Sequence, residues 1–320
     1  MRGKLLVILA CAVLAGAMPA AAQTYPERPV TFIVPYGAGG PLDTVARIIT
    51  ERMRVALKQS IVIENVAGAS GTIGVGRAVR AAPDGYTVCV GNWPTHVVNG
   101  AMFNLAYDLV EDFEPVALLT SNPYIMLVRK NLPAKNVAEL IALAKSRPGF
   151  VTYGTSGPGG APHLAAELLK RTANIDMTHI PYKASAQSFQ DLLGGQVMVT
   201  MDSQIQALPY IRDNRLRALG VLSARRVPSL PDVPTIAETV PGYELTNWFG
   251  LVAPAATPKD VLAKISGDVH KALQDQGLRD KITALSAAVV GDTPEQFGAT
   301  MRADSEKWAR VIREANIKAE

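Results

Sequence analysis

The chain has 320 residues, 48% hydrophobic and 19% charged, with 32 basic side chains against 28 acidic ones and a formal net charge of +4. So even a balance excludes the basic footprint of a nucleic-acid-binding protein. The apolar content suffices for a sizeable core, and the length leaves room for two lobes.

The chain opens basic, with Arg2 and Lys4, and continues through an apolar run over residues 5–17 to Ala20-Ala21-Ala22-Gln23. This is the pattern of a secretory signal peptide over residues 1–22, cleaved after Ala22. The run is shorter than the roughly 20 residues of a membrane span. A lipobox around Ile8-Leu9-Ala10-Cys11 is a looser match. Cleavage would leave an exported chain of net charge +2 with Cys89 as its single cysteine, so no internal disulfide is expected. Cys89 sits in an apolar run and reads as a small buried hydrophobe.

Past the leader, β-rich runs fall at 30–35, 61–66, 86–91, 124–129, 150–154, 177–182, 197–202, 216–222 and 246–254. Between them lie helical patterns with apolar residues three and four apart, such as Val45, Ile48, Ile49, Met53 and Leu57, or Leu164, Ala165, Leu168 and Leu169. Such alternation predicts parallel sheets covered by helices on both faces, an α/β architecture. From Pro258 onward the pattern is nearly all helical, with Thr257 and Thr293 as N-caps ahead of Pro258 and Pro294.

Two segments echo each other. Tyr36-Gly37-Ala38-Gly39-Gly40 leads into a helix carrying Asp43, and Thr155-Ser156-Gly157-Pro158-Gly159-Gly160 leads into a helix carrying His163. A glycine loop feeding a helix can turn backbone N–H groups and the positive helix end toward an anion. One such loop could be a plain strand-to-helix turn, but two could face each other across a cleft. Neither fits a nucleotide motif. Leu42 stands where a dinucleotide fingerprint needs its last glycine, and Gly160-Ala161 replaces the Lys-Ser/Thr of a phosphate-binding loop. Asp43 reads equally as a helix-end charge or as support for a ligand site.

A serine hydrolase would use Ser156, His163 and Asp202. Pro158 takes the place of the elbow's last glycine, and the order serine, histidine, acid departs from that of α/β-hydrolases. The histidines at 96, 163, 179 and 270 share no ligand spacing, and there is no Cys-x-x-Cys. No metal and no cofactor are expected.

The chain resembles the Bug-type receptors of tripartite tricarboxylate transporters. The likeness rests on Ile33-Val34-Pro35, Ala38-Gly39-Gly40, Val62-Ile63-Glu64-Asn65, Pro83-Asp84-Gly85-Tyr86, Asp112-Phe113-Glu114-Pro115, Gly157-Pro158-Gly159, His163-Leu164, Pro181-Tyr182-Lys183, Leu230-Pro231-Asp232-Val233-Pro234 and Trp248-Phe249-Gly250-Leu251, in order along the chain. It implies a type II periplasmic binding-protein fold, two α/β lobes joined by two crossing strands near 122–127 and 247–254. The first lobe would start with residues 23–123, the second would span 124–243, and 244–320 would return to the first.

It also implies capture of a small carboxylate, delivery to the large and small membrane subunits of a secondary transporter, and a monomeric periplasmic receptor rather than an enzyme. A sensor for a signalling partner would share these features. The site carried over comprises Tyr36, Gly37, Ala38, Gly39, Gly40 and Asp43; Asn92, Trp93, Thr95 and His96; Thr155, Ser156, Gly157, Gly159, Gly160 and His163; and Lys183, Ala184 and Asp202. Tyr36 replaces a common phenylalanine, and Ala184 a usual glycine. Trp93 could stack on an aromatic ligand or fill core space. His96 could donate to a carboxylate or lie on the surface.

Overall fold

The computed structural model describes residues 25–182 and 184–318. The leader with Cys11, and Lys183, lie outside the described residues. The fold opens with three parallel strands, β1 (Val30–Val34), β2 (Ile61–Asn65) and β3 (Thr87–Asn92), with β1 in the middle. Helix α1 (Pro41–Leu57) joins β1 to β2 and buries Leu42, Val45, Ala46, Ile49, Met53 and Leu57 on one stripe. Each large side chain of that stripe contributes roughly 1.5–3 kcal/mol of burial. Helix α2 (Thr72–Val79) joins β2 to β3, and a π-helical turn (Pro94–Val98) with α3 (Asn99–Met102) follows β3.

The next strand, β4 (Phe113–Arg129), is 17 residues long and belongs to two sheets. Its first part pairs antiparallel with β9 (Thr246–Pro254), which in turn pairs with β3. Its last part pairs antiparallel with β7 (Val199–Ser203) and β8 (Leu216–Val221). Beyond β7 the second sheet is parallel, through β5 (Thr152–Thr155) to β6 (Thr178–Pro181). Helices α4 (Val137–Ser146), α5 (Ala161–Thr172), α6 (Ser185–Gly194) and α7 (Gln204–Arg212) connect its strands. Two α/β lobes result, joined by β4 on the outward crossing and by the entry to β9 on the return, where Leu245 N–H donates to the Leu222 carbonyl.

The tail supplies α8 (Lys259–Leu273), α9 (Gln276–Ala284), β10 (Ala288–Asp292) and α10 (Pro294–Glu314). Val261, Ile265, Val269, Leu273, Leu278 and Ile282 close the first lobe's core over α1 and β1. Helix α10 carries a full capping box at Thr293 and Gln296. It packs Trp308 edge-on to Trp93 at 5.0 Å and ends in an Arg171–Glu314 ion pair of 2.7 Å to α5, so it touches both lobes.

Three expectations are corrected. The strand expected over 124–129 starts at Phe113, because its pairing with β9 runs on through Pro115 and Pro123. The nearly all-helical tail also holds a strand that was not expected: β10 is a half-exposed edge strand held by Leu118, Thr120 and Ser121 of β4. Thr257 does not cap α8; Pro258 holds that position, and the Thr257 hydroxyl donates to the Pro254 carbonyl at 2.7 Å. Cys89 is fully buried, and burial pushes its thiol up to about 12.

Candidate functional site

A cavity of about 530 Å³ opens between the lobes. The first lobe lines it with Tyr36, Gly37, Ala38, Gly40, Pro41 and Leu42, together with Asn92 and Phe249. The second contributes Ser156, Pro162, Ser185, Asp202, Ser203, Ile205 and Gln206, and the crossing strands supply Asn122, Tyr124 and Asn247. Among the described residues no lysine, arginine or histidine lines it.

Positive potential comes instead from backbone. The first turns of α1, α5, α6 and α7 all reach the cavity wall, at Pro41 and Leu42, Pro162, Ser185, and Ile205 and Gln206. Their N-cap residues are Gly40, Gly160, Ala184 and Ser203, and none makes a side-chain capping bond. Away from the cavity, Asn136, Asp275 and Thr293 do cap α4, α9 and α10 (α2, α3 and α8 lack such caps too). A helix start with unsatisfied N–H groups carries about half a positive charge and accepts an anion.

The first glycine loop is braced from behind. Asp43, 2% exposed, accepts from Gly39 N–H at 2.8 Å, from Arg47 Nε at 2.9 Å and from Asn65 Nδ2 at 3.0 Å. Asn65 also donates to the Tyr36 carbonyl at 3.1 Å. Burial would raise the pKa of Asp43, but the bonds from Arg47, Gly39 and Asn65 outweigh it and hold the carboxyl below its usual range. Asp43 and Gly39 therefore shape the loop, while Gly37, Ala38 and Gly40 line the cavity. Burial raises the Tyr36 hydroxyl pKa, opposed by a hydrogen bond from Asn92.

Of residues 92–96, only Asn92, which ends β3, lines the cavity. Thr95 is buried behind it; its N–H donates to Asn92 Oδ1 at 3.0 Å and its hydroxyl accepts from Asn92 N–H at 3.1 Å. His96 is fully buried against Phe113, with Nδ1 2.9 Å from the Thr95 hydroxyl. Burial drives its pKa down to about 4, so it is neutral. Trp93, 1% exposed, packs on Trp308. Neither Trp93 nor His96 reaches the cavity, because the π-helical turn directs both into the core beneath α10.

The second loop also differs from expectation. Ser156 faces the cavity; Thr155, Gly157, Gly159, Gly160 and His163 do not line it. Gly157 N–H donates to Thr155 Oγ1 at 3.2 Å and Gly159 N–H to His163 Nδ1 at 3.0 Å, so both amides point inward. Gly160 is the N-cap of α5. Ala184 is the exposed N-cap of α6, and Ser185 beside it lines the cavity. Asp202, 4% exposed, accepts from Ser203 N–H at 2.7 Å and from the Ser185 side chain, yet burial raises its pKa.

Sequence reasoning missed Asn122, Tyr124, Asn247 and Phe249. Strand alternation could have found them, since 122 and 124, like 247 and 249, share a face two residues apart. It also missed Ser203 and Gln206 at the start of α7. A hydrolase site is not assembled: no hydrogen bond joins Ser156 to His163 or Asp202 among the described residues, and Gly159 occupies His163 Nδ1.

Residues 45–317 match the model of the tripartite tricarboxylate transporter family receptor. The chain is 33% identical over 305 residues to protein BugT of Bordetella pertussis, covering 94% of each chain. Among solved structures it is similar to a TctC solute-binding protein from Polaromonas without ligand, at 30% identity and TM-score 0.85, covering 91% of this chain and 100% of that one. MatC from Rhodopseudomonas palustris with bound malate gives 36% identity and TM-score 0.70 over 90% and 100% of the two chains. An R. palustris protein with adipate gives 35% and 0.73 over 92% and 99%. With the two-lobed fold, the cleft and these likenesses together, the chain belongs to the TctC/Bug family of periplasmic solute-binding receptors.

Proposed function

We propose that this chain captures a small organic acid between its lobes and hands it to the membrane subunits of a tripartite tricarboxylate-type transporter. The observation that carries the reading is the convergence of four helix starts without side-chain caps on one cavity lined by hydroxyls and amides. A carboxylate is the ligand such an array suits. Leu42, Pro162, Ile205 and Phe249 offer an apolar wall for the acid's carbon skeleton. The bound adipate and malate of two similar structures support the class.

The lobes close by bending at the crossing strands. The receptor acts as a monomer after export through the leader of residues 1–22, without metal, cofactor or catalysis. In this reading Ser156, Asp202, Asn92, Tyr36 and the Gly37–Ala38–Gly40 backbone meet the ligand, and Ala184 lies at the rim.

Ligand that binds only the folded state raises the melting temperature as RT ln(1 + [L]/Kd). A melting screen of ligand-free protein over mono-, di- and tricarboxylates and aromatic acids should give a shift with at least one; no shift with any sinks the reading. Loss of uptake of that acid on gene deletion separates a transporter receptor from a sensor.

A further inference from the structure

The two glycine loops are built in step. Gly37-Ala38-Gly39-Gly40-Pro41-Leu42-Asp43 and Gly157-Pro158-Gly159-Gly160-Ala161-Pro162-His163 align residue for residue. In each, the third residue is a left-handed glycine, with φ of 83° at Gly39 and 73° at Gly159, and the next glycine is the helix N-cap. In each, the left-handed glycine's N–H donates to the side chain four residues on. The acceptor differs: the Asp43 carboxylate at 2.8 Å in the first lobe, the His163 imidazole at 3.0 Å in the second.

His163 does not stand alone. Its ring stacks on His179 at 4.1 Å and 10°, and His179 stacks on Tyr153 at 5.0 Å and 15°. His179 Nε2 lies 2.7 Å from the Thr155 hydroxyl that receives Gly157 N–H. Both inward amides of the loop thus hang on one histidine pair. The charged and titratable groups facing that pair are Glu167 and Lys170 from α5, Tyr153 from β5 and His179 itself from β6. Glu167 is already engaged, accepting from the Tyr153 hydroxyl and from Lys170, both at 2.8 Å. On the loop's other side a Cβ at Gly159 would meet Met102 of α3 and Ile317, both apolar.

We propose that His163 is the positioning residue of the second glycine loop and that it makes this loop, unlike the Asp43-braced first one, labile to acid. A proton taken up at Nδ1 turns the acceptor of Gly159 N–H into a donor, and the contact is lost. Burial holds both imidazoles below the ordinary 6.5, and His179, with His163 beside it, at about 4. A cation on one ring opposes a second on its stacked neighbour. The folded loop favours neutral His163, so the latch is intact above its folded pKa and is lost as pH falls through it. Asp43 stays an acceptor until the pH drops below its ordinary 3.8. The functional consequence, an acid bound at neutral pH and loosened on acidification, rests on the proposed function; the latch itself does not.

The test is nitrogen-15 NMR of the ligand-free mature protein from about pH 8 to about pH 4. The Gly159 amide and the His163 ring nitrogens should titrate together, with a shared midpoint below 6.5. The Gly39 amide should stay flat, and neutral His163 should carry its proton on Nε2. In His163→Asn, whose amide oxygen accepts but does not titrate, the Gly159 transition should vanish. Gly159 hydrogen exchange, corrected for its intrinsic pH dependence, should rise about tenfold across the transition in the wild type and less than about twofold in the variant. A flat Gly159 amide, a Gly159 transition that persists in His163→Asn, or a neutral His163 protonated on Nδ1 overturns the proposal. Each of these is read without ligand, so a failed latch and a failed melting screen are told apart.

Discussion

Asn122 on β4 sits directly opposite Asn247 on β9, at the point where the two crossing strands bring both side chains to the cavity wall. Among the described residues, Asn122 Nδ2, a donor, and Asn247 Oδ1, an acceptor, are buried there without a hydrogen-bond partner. An unmatched buried polar atom costs about 1–3 kcal/mol. Replacing Asn122 with leucine should therefore stabilise the ligand-free protein by about 1 kcal/mol in chemical denaturation. The same change should weaken binding of the acid found in the melting screen about tenfold or more by calorimetry. A variant both less stable and unchanged in affinity would place the ligand away from this pair.

Asp43 braces the first loop with three hydrogen bonds, two from neutral donors and one from Arg47. Asp43→Ala should cost about 2–3 kcal/mol at neutral pH, because Gly39 N–H and Asn65 lose a charged acceptor. Its folded pKa lies below the ordinary 3.8, so its contribution is present above that value and lost as pH falls through the folded one. Urea melts of both proteins should diverge near neutral pH and converge in strong acid.

Asp202 has the opposite sign. Its folded pKa is raised by burial, so the stability it confers is present below the ordinary 3.8 and lost as pH rises through the folded value. Asp202→Asn should thus be more stable than the wild type at neutral pH, on the order of 1 kcal/mol. Its affinity for an acid bearing an ammonium group should fall, while that for a plain carboxylate should hold or improve. Parallel calorimetry with an amino acid and its desamino analogue reads the difference.

Asp304 on α10 accepts from Trp248 Nε1 at 2.9 Å, and burial pushes its pKa up to about 6. Its favourable contribution is complete below 3.8 and disappears as pH rises through about 6. Asp304→Asn keeps an acceptor for the indole and removes the titration. The variant should gain about 1–2 kcal/mol above that pH. The Trp248 fluorescence change centred near pH 6 in the wild type should be absent from it.

The first loop was legible because its cues are local: a strand, a glycine run and an apolar stripe from Leu42 to Leu57 all lie within thirty residues. Trp93 and His96 were not. Whether a side chain after β3 turns to solvent or core depends on Trp308 and Phe113, which nothing near residue 93 announces. β10 was invisible for the same reason, since its pairing partner lies about 170 residues earlier. The second loop does lie between β5 and α5, as its glycines suggest, yet its amides face inward. Their acceptors, the Thr155 hydroxyl and the His163 ring, could be named from sequence, but their direction could not. Asn122 lay in an expected crossing strand, but its place on the cavity wall depends on the pairing with Asn247, far along the chain.

Under the proposed function, the helix starts that converge on the cavity set how the cargo is let go. The pull of a helix end fades within about one turn, whereas a lysine on a flexible stem can follow a departing anion for several ångströms. A receptor that grips with fixed dipoles loses its hold almost at once when the lobes part. Its affinity is then a property of the closed geometry rather than of any one side chain, and a membrane partner that levers the lobes apart by a few ångströms discharges the ligand without breaking an ion pair.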